Sequence, residues 1–166
     1  MKIKNIVLAA ALVAFTAAPS IANAASATSS ADAVIIAPVS VTKVSDLQFG
    51  TLGTTGTAGA VLISEAGART NPDTNVDLLA GATASQAQFT VAGANSAAVT
   101  VTVPASATLA SGGNNMTATL SSTNAGAGTL DGSGAMTVNV AASLAVGASQ
   151  APGTYATTFD VTVVYN

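Results

Sequence analysis

From Tyr155 onward the chain alternates: Thr157, Phe159, Val161, Val163 and Tyr165 share one parity, and Thr158, Asp160, Thr162, Val164 and Asn166 share the other. A period of two is how a pleated strand offers one face to a core and the other to water. No segment of the mature chain makes a competing case for a helix. Runs of strand character lie at residues 33–42, 47–50, 60–64, 87–92, 99–103, 116–120, 136–144 and 154–165, with Pro38 marking an edge, a bulge or a break in the first. Between them, residues 53–59, 67–75, 111–115 and 124–134 are rich in Gly, Asn, Ser and Thr and read as loops. The pattern predicts an all-β sandwich of about seven antiparallel strands. No fixed repeat supports a solenoid or propeller, so one domain is expected.

The N-terminus reads as a secretory signal peptide over residues 1–24. Lys2 and Lys4 supply the basic start, residues 6–18 the apolar stretch, and Ala22-Asn23-Ala24 a small-x-small cleavage site. The apolar run is interrupted by Thr16, Pro19 and Ser20 and is short for a membrane anchor, so no integral membrane segment is expected after cleavage. The mature chain from Ala25 is long enough for one compact domain. It keeps Lys43 and Arg69 as its cations against seven acids. Nucleic acid is therefore an unsuitable partner, because its recognition needs clustered lysine and arginine.

Composition removes whole classes of chemistry. The chain has no His and no Cys, so a Ser-His-Asp triad, a thiolate nucleophile and a His- or Cys-bound metal are all absent. No disulfide can staple the fold, and stability must come from packing and pairing. The segment Asp73-Thr-Asn-Val-Asp77 sets oxygens at alternate positions, but the EF-hand pattern fails at Leu78 and Ala84, where Gly and Glu are required. Asn115-Met-Thr117 matches a glycosylation acceptor but reads more simply as an ordinary loop. Gly126-Ala-Gly128 and Gly132-Ser-Gly134 lack the lysine and helix of a phosphate cradle and read as turns. Carboxylate catalysis would have to draw on Glu65, Asp73, Asp77, Asp131 and Asp160, with no Trp to stack a sugar. Neither an enzyme nor a cofactor is expected.

Two resemblances add to this reading. With Gly153 fourteenth from the end, Tyr165 penultimate and apolar residues alternating between them, the C-terminus resembles the chaperone-recognition strand of chaperone–usher fimbrial pilins. That resemblance implies an immunoglobulin-like, pilin-like sandwich lacking its own last strand, with an open groove filled by a periplasmic chaperone and then by a neighbouring subunit at an outer-membrane usher. Gly153, Tyr155, Phe159, Val161, Val163 and Tyr165 would line the groove side. Residues 25–37 would be the N-terminal extension and donor strand, with Val34 and Ile36 on one parity or Ile35 on the other as anchors, and residues 38–166 the sandwich. The implied partners are copies of the chain or other pilins, and the implied destination is the periplasm in transit and then the fimbrium at the cell surface. The missing disulfide departs from many such pilins. The layout Val39-Ser-Val-Thr-Lys43, Asp46-Leu-Gln-Phe-Gly50 and Gly153-x-Tyr155 also resembles a family of small secreted bacterial proteins known as domain of unknown function 4402. Two alternatives stand beside the pilin reading. One is a self-complemented envelope or extracellular-matrix domain, with residues 33–42 as its first strand, and the other is a carbohydrate-binding adhesin.

Overall fold

The computed structural model describes residues 24–166. The expected signal peptide lies outside the described residues except for Ala24. The chain divides into two units, Met1–Val34 and Ile35–Asn166. In the first, the described residues 24–34 form neither helix nor strand.

The second unit is entirely antiparallel β, with no helix among the described residues. In chain order the strands are β1 (Ser40–Ser45), β2 (Gln48–Thr54), β3 (Gly59–Ile63), β4 (Arg69–Thr70), β5 (Val76–Ser85), β6 (Ala87–Ala92), β7 (Ala98–Thr102), β8 (Ser106–Ser111), β9 (Asn114–Ser121), β10 (Gly126–Thr129), β11 (Ala135–Val146) and β12 (Thr162–Tyr165). They form three sheets. The largest has seven strands, with the path β1-β6-β11-β3-β4 and with β9 and β8 joined to it through β11. The order β10-β7-β12 makes the second sheet and β2-β5 the third.

The strand β11 is the hub because its alternation is the longest in the chain. Val138, Val140, Ala142, Leu144 and Val146 are buried, while Thr137 and Ala145 on the opposite parity are exposed and Asn139, Ala141 and Ser143 half-buried. Its first half pairs with β6 in the register Val138 to Phe89, and its second half with β3 as Leu144 to Val61 and with β9 as Leu144 to Ala118. These registers put apolar residues opposite apolar residues, and a one-residue slip would expose every one of them. The hairpin β8-β9 turns on Gly112 and Gly113, both at positive φ (53° and 88°). A two-residue hairpin turn of this kind needs that conformation twice, which glycine adopts without steric cost.

Inward residues of all three sheets belong to one hydrophobic cluster in which Val61, Val76, Val91, Val99, Val138 and Val140 have no exposed surface. No polar or charged side chain is buried among the described residues. Each such valine contributes roughly 1.5–3 kcal/mol by leaving water, which is how a chain without disulfides holds together.

The all-β expectation is borne out, and the strand inventory differs from it. Among the described residues twelve strands form where about seven were expected. The additional strands are the two-residue β4, inside the expected loop 67–75, and β5, β8 and β10, which are built largely from Ala, Gly, Ser and Thr. Such residues carry little apolar alternation, so distant partners rather than local pattern make them strands. The hairpin turn is two residues long where a loop over 111–115 was expected, and Gly126-Ala-Gly128 lies in the edge strand β10 rather than in a turn. The apolar run at 33–42 becomes strand only from Ser40. Pro38 has no N–H to donate and restricts Ala37 before it.

Candidate functional site

Where a strand was expected over residues 154–165, a continuous ladder begins only at Thr162. There β12 joins β7 with Val163 opposite Val101 and forms an edge of its sheet. Upstream, residues 157–161 belong to no strand. The stretch before them makes a single bridge to β8. The Ala110 N–H donates to the Ala156 carbonyl at 3.1 Å, and the Ala156 N–H donates back to the Ala110 carbonyl at 3.2 Å.

The apolar and aromatic side chains nevertheless keep the predicted parity, while Thr157 on the same parity is exposed. Tyr155, Phe159, Val161 and Tyr165 are partly buried against the core, and Val163 is inside it. Phe159 meets Phe89 of β6 edge-on, with ring centroids 6.4 Å apart and planes inclined by 70°. That arrangement places the positive edge of one ring on the negative face of the other. Tyr155 is fixed by its hydroxyl, which donates to the Ala151 carbonyl and accepts from Gln150 Nε2, both at 2.7 Å. At Gly153 a Cβ would run into the Ser111 hydroxyl, so a larger residue at this close approach to the end of β8 would make that side chain move.

Beside this segment lies an open groove with a volume of about 350 Å³. One wall is residues 43–49, the end of β1 and the start of β2, and the other is residues 155–159. The floor is Ala87, Phe89, Ala107, Leu109 and Ala118, all inward residues of the large sheet. A second groove of about 790 Å³ runs between β2 and the ends of β9 and β11, past Leu52, Met116, Leu144 and Val146. The two share Leu47, Gln48, Phe49, Leu109 and Tyr155. Lys43 and Asp46 are the charged residues at the first groove, paired at 2.7 Å on an exposed rim. Such a pair contributes little in water. The grooves offer apolar surface and backbone groups; no three His, Cys, Asp or Glu residues lie together in a way that could hold a metal among the described residues.

Of the residues singled out in the sequence, Gly153, Tyr155 and Phe159 line these grooves. Val161 and Val163 pack on the core beyond them, and the Tyr165 hydroxyl points elsewhere, to Ala37 and Ala94. Val34, Ile35 and Ile36 are exposed, Ile35 to 96 %, and belong to no strand. Sequence reasoning assigned no role to the opposite wall at 43–49. Its signal was the Asp46-Leu-Gln-Phe-Gly50 motif, whose Phe49 is buried at the groove. Asp73 closes a turn, accepting from the Ala60 N–H at 2.8 Å and the Asn75 N–H at 3.1 Å.

No helix among the described residues is long and apolar enough to cross a membrane. A family model described as "Domain of unknown function (DUF4402)" matches residues 39–165. No curated protein and no solved structure matches the chain.

Proposed function

We propose that this chain, which belongs to the DUF4402 family, is a non-enzymatic structural subunit of a bacterial surface fimbria, an immunoglobulin-like sandwich assembled by donor-strand complementation through a chaperone–usher system. The observation that carries the reading is the groove between residues 43–49 and 155–159, one wall of which holds Tyr155 and Phe159 half-buried and runs outside any strand. A strand laid there would find backbone groups to bond and an apolar floor to cover. The exposed Val34, Ile35 and Ile36 of a neighbouring copy have suitable chemistry, each worth roughly 1.5–3 kcal/mol when buried. Insertion of one copy's segment into the next is a heterologous contact, which propagates into a filament unless it closes into a ring. Transit through the periplasm follows from the signal peptide read at residues 1–24. No cofactor takes part.

The test is an immunoblot of material sheared from the native cell surface, run in SDS with and without boiling. A ladder collapsing to monomer on heating is the expected result. A single monomer band in both lanes, with secretion confirmed, would replace this reading with the self-complemented envelope domain.

A further inference from the structure

We propose that the Tyr165 hydroxyl is a latch fixing the point at which the N-terminal arm leaves the domain, so that Tyr165 positions the arm instead of lining the groove. Its Oη donates to the Ala37 carbonyl at 2.7 Å and accepts from the Ala94 N–H at 2.7 Å. One hydroxyl thus ties the end of β12 to the root of the arm and to the loop after β6. The room for it comes from Gly93, where a Cβ would collide with that hydroxyl and come within 2.9 Å of Leu130. The strand that carries it is held independently, by the Asn166 N–H donating to the Ala98 carbonyl at 3.1 Å and by the ladder with β7.

Exposure changes character at this point of the chain. Ile35 and Ile36 are 96 % and 52 % exposed, whereas Val39 packs on the core. Pro38 between them cannot donate a backbone bond and holds Ala37 extended. The Ala37 carbonyl is therefore a natural last fixed point, and the tyrosine takes it. Releasing it would add Ala37 and Pro38 to the free arm, lengthening its reach by about 7 Å at the extended rise per residue. That the arm is a donor segment rests on the proposed function; the latch is a property of the single chain.

The experiment is backbone amide hydrogen exchange on the isolated full chain and on Tyr165→Phe, which keeps the ring and removes the hydroxyl. The Ala94 amide and the amides of residues 39–41 should exchange roughly threefold to tenfold faster in the variant, as expected for loss of one or two net hydrogen bonds. Those of Val138 and Val140 should keep their rates, and proteolysis within residues 35–39 should rise. Equal exchange at Ala94 in the two proteins would overturn the latch. Should the variant fail to fold, the unaltered chain still decides, because an Ala94 amide exchanging as fast as that of Ile35 overturns it as well. An absent ladder in the blot would refute filament assembly and leave this result standing.

Discussion

Arg69 shows how much one side chain can organise. Between Phe49 and Thr51 the register against β5 jumps from Phe49 opposite Ala84 to Thr51 opposite Leu79, so that the extra residues bulge from β5 and carbonyls that a regular ladder would use are freed. Gly50 sits at the jump with φ of 74°, a conformation that favours glycine. The Arg69 guanidinium fills the gap, donating from Nη1 to the Phe49 and Thr51 carbonyls at 3.1 and 3.3 Å and from Nη2 to Leu79 at 3.0 Å. A lysine cannot reproduce the planar fork. Arg69→Lys should therefore cost roughly 1–3 kcal/mol in urea unfolding, and an unchanged midpoint would show that the fork is dispensable. Asp131 works similarly on a turn. Its Oδ1 accepts from the Ser133 hydroxyl at 2.7 Å and from the Ser133 and Ala135 N–H groups at 2.8 and 2.9 Å. The Ser133 hydroxyl, then those N–H groups, hold its carboxyl below the usual 3.8. Because the folded value is the lower one, this stabilisation is present above the unfolded value and is lost as pH falls through the folded value. The advantage of the native chain over Asp131→Ala in urea midpoint should thus shrink as pH drops below about 4, and a difference independent of pH would contradict the assignment.

At the scale of elements, the instructive stretch is the C-terminal one. Alternation from Tyr155 to Tyr165 foretold which side chains turn inward, and Tyr155, Phe159, Val161, Val163 and Tyr165 do so, whereas the polar Thr157 stays exposed. It did not foretell that residues 157–161 would lack a ladder. Side-chain period reports which face is covered, whereas a strand also needs a neighbour along its edge, and here that edge borders a groove. Phe159 joins the two descriptions, with its ring on Phe89 and its backbone unpaired. Phe159→Ala should cost roughly 1–3 kcal/mol, less than a fully buried phenylalanine because the ring is half-buried. Asp160→Ala, on the exposed parity, should stay within about 0.5 kcal/mol. Equal losses in thermal unfolding would mean that the inward parity carries no packing. The strands β5 and β8 escaped a reading by pattern for the opposite reason. Their partners β2 and β9 define them, while their own small residues carry too weak an alternation to be noticed.

For the molecule as a whole, the local code and the long-range contacts divide the work clearly. Period-two patterning, with no competing helical run, determined an all-β chain with an apolar, valine-rich inside, because alternation is a property of neighbouring residues and needs no partner to be read. The lack of His and Cys likewise removed the Ser-His-Asp triad, thiolate nucleophiles and His- or thiolate-bound metal at the level of sequence. Only the tertiary structure decided that residues 43–49 face residues 155–159 across a groove, that Arg69 stitches the β2-β5 ribbon to the large sheet, and that Tyr165 reaches Ala37, 128 positions away. Each of these is a contact between segments distant along the chain. Their meeting depends on which strands pair and in what order, and that follows from closing one core over all three sheets.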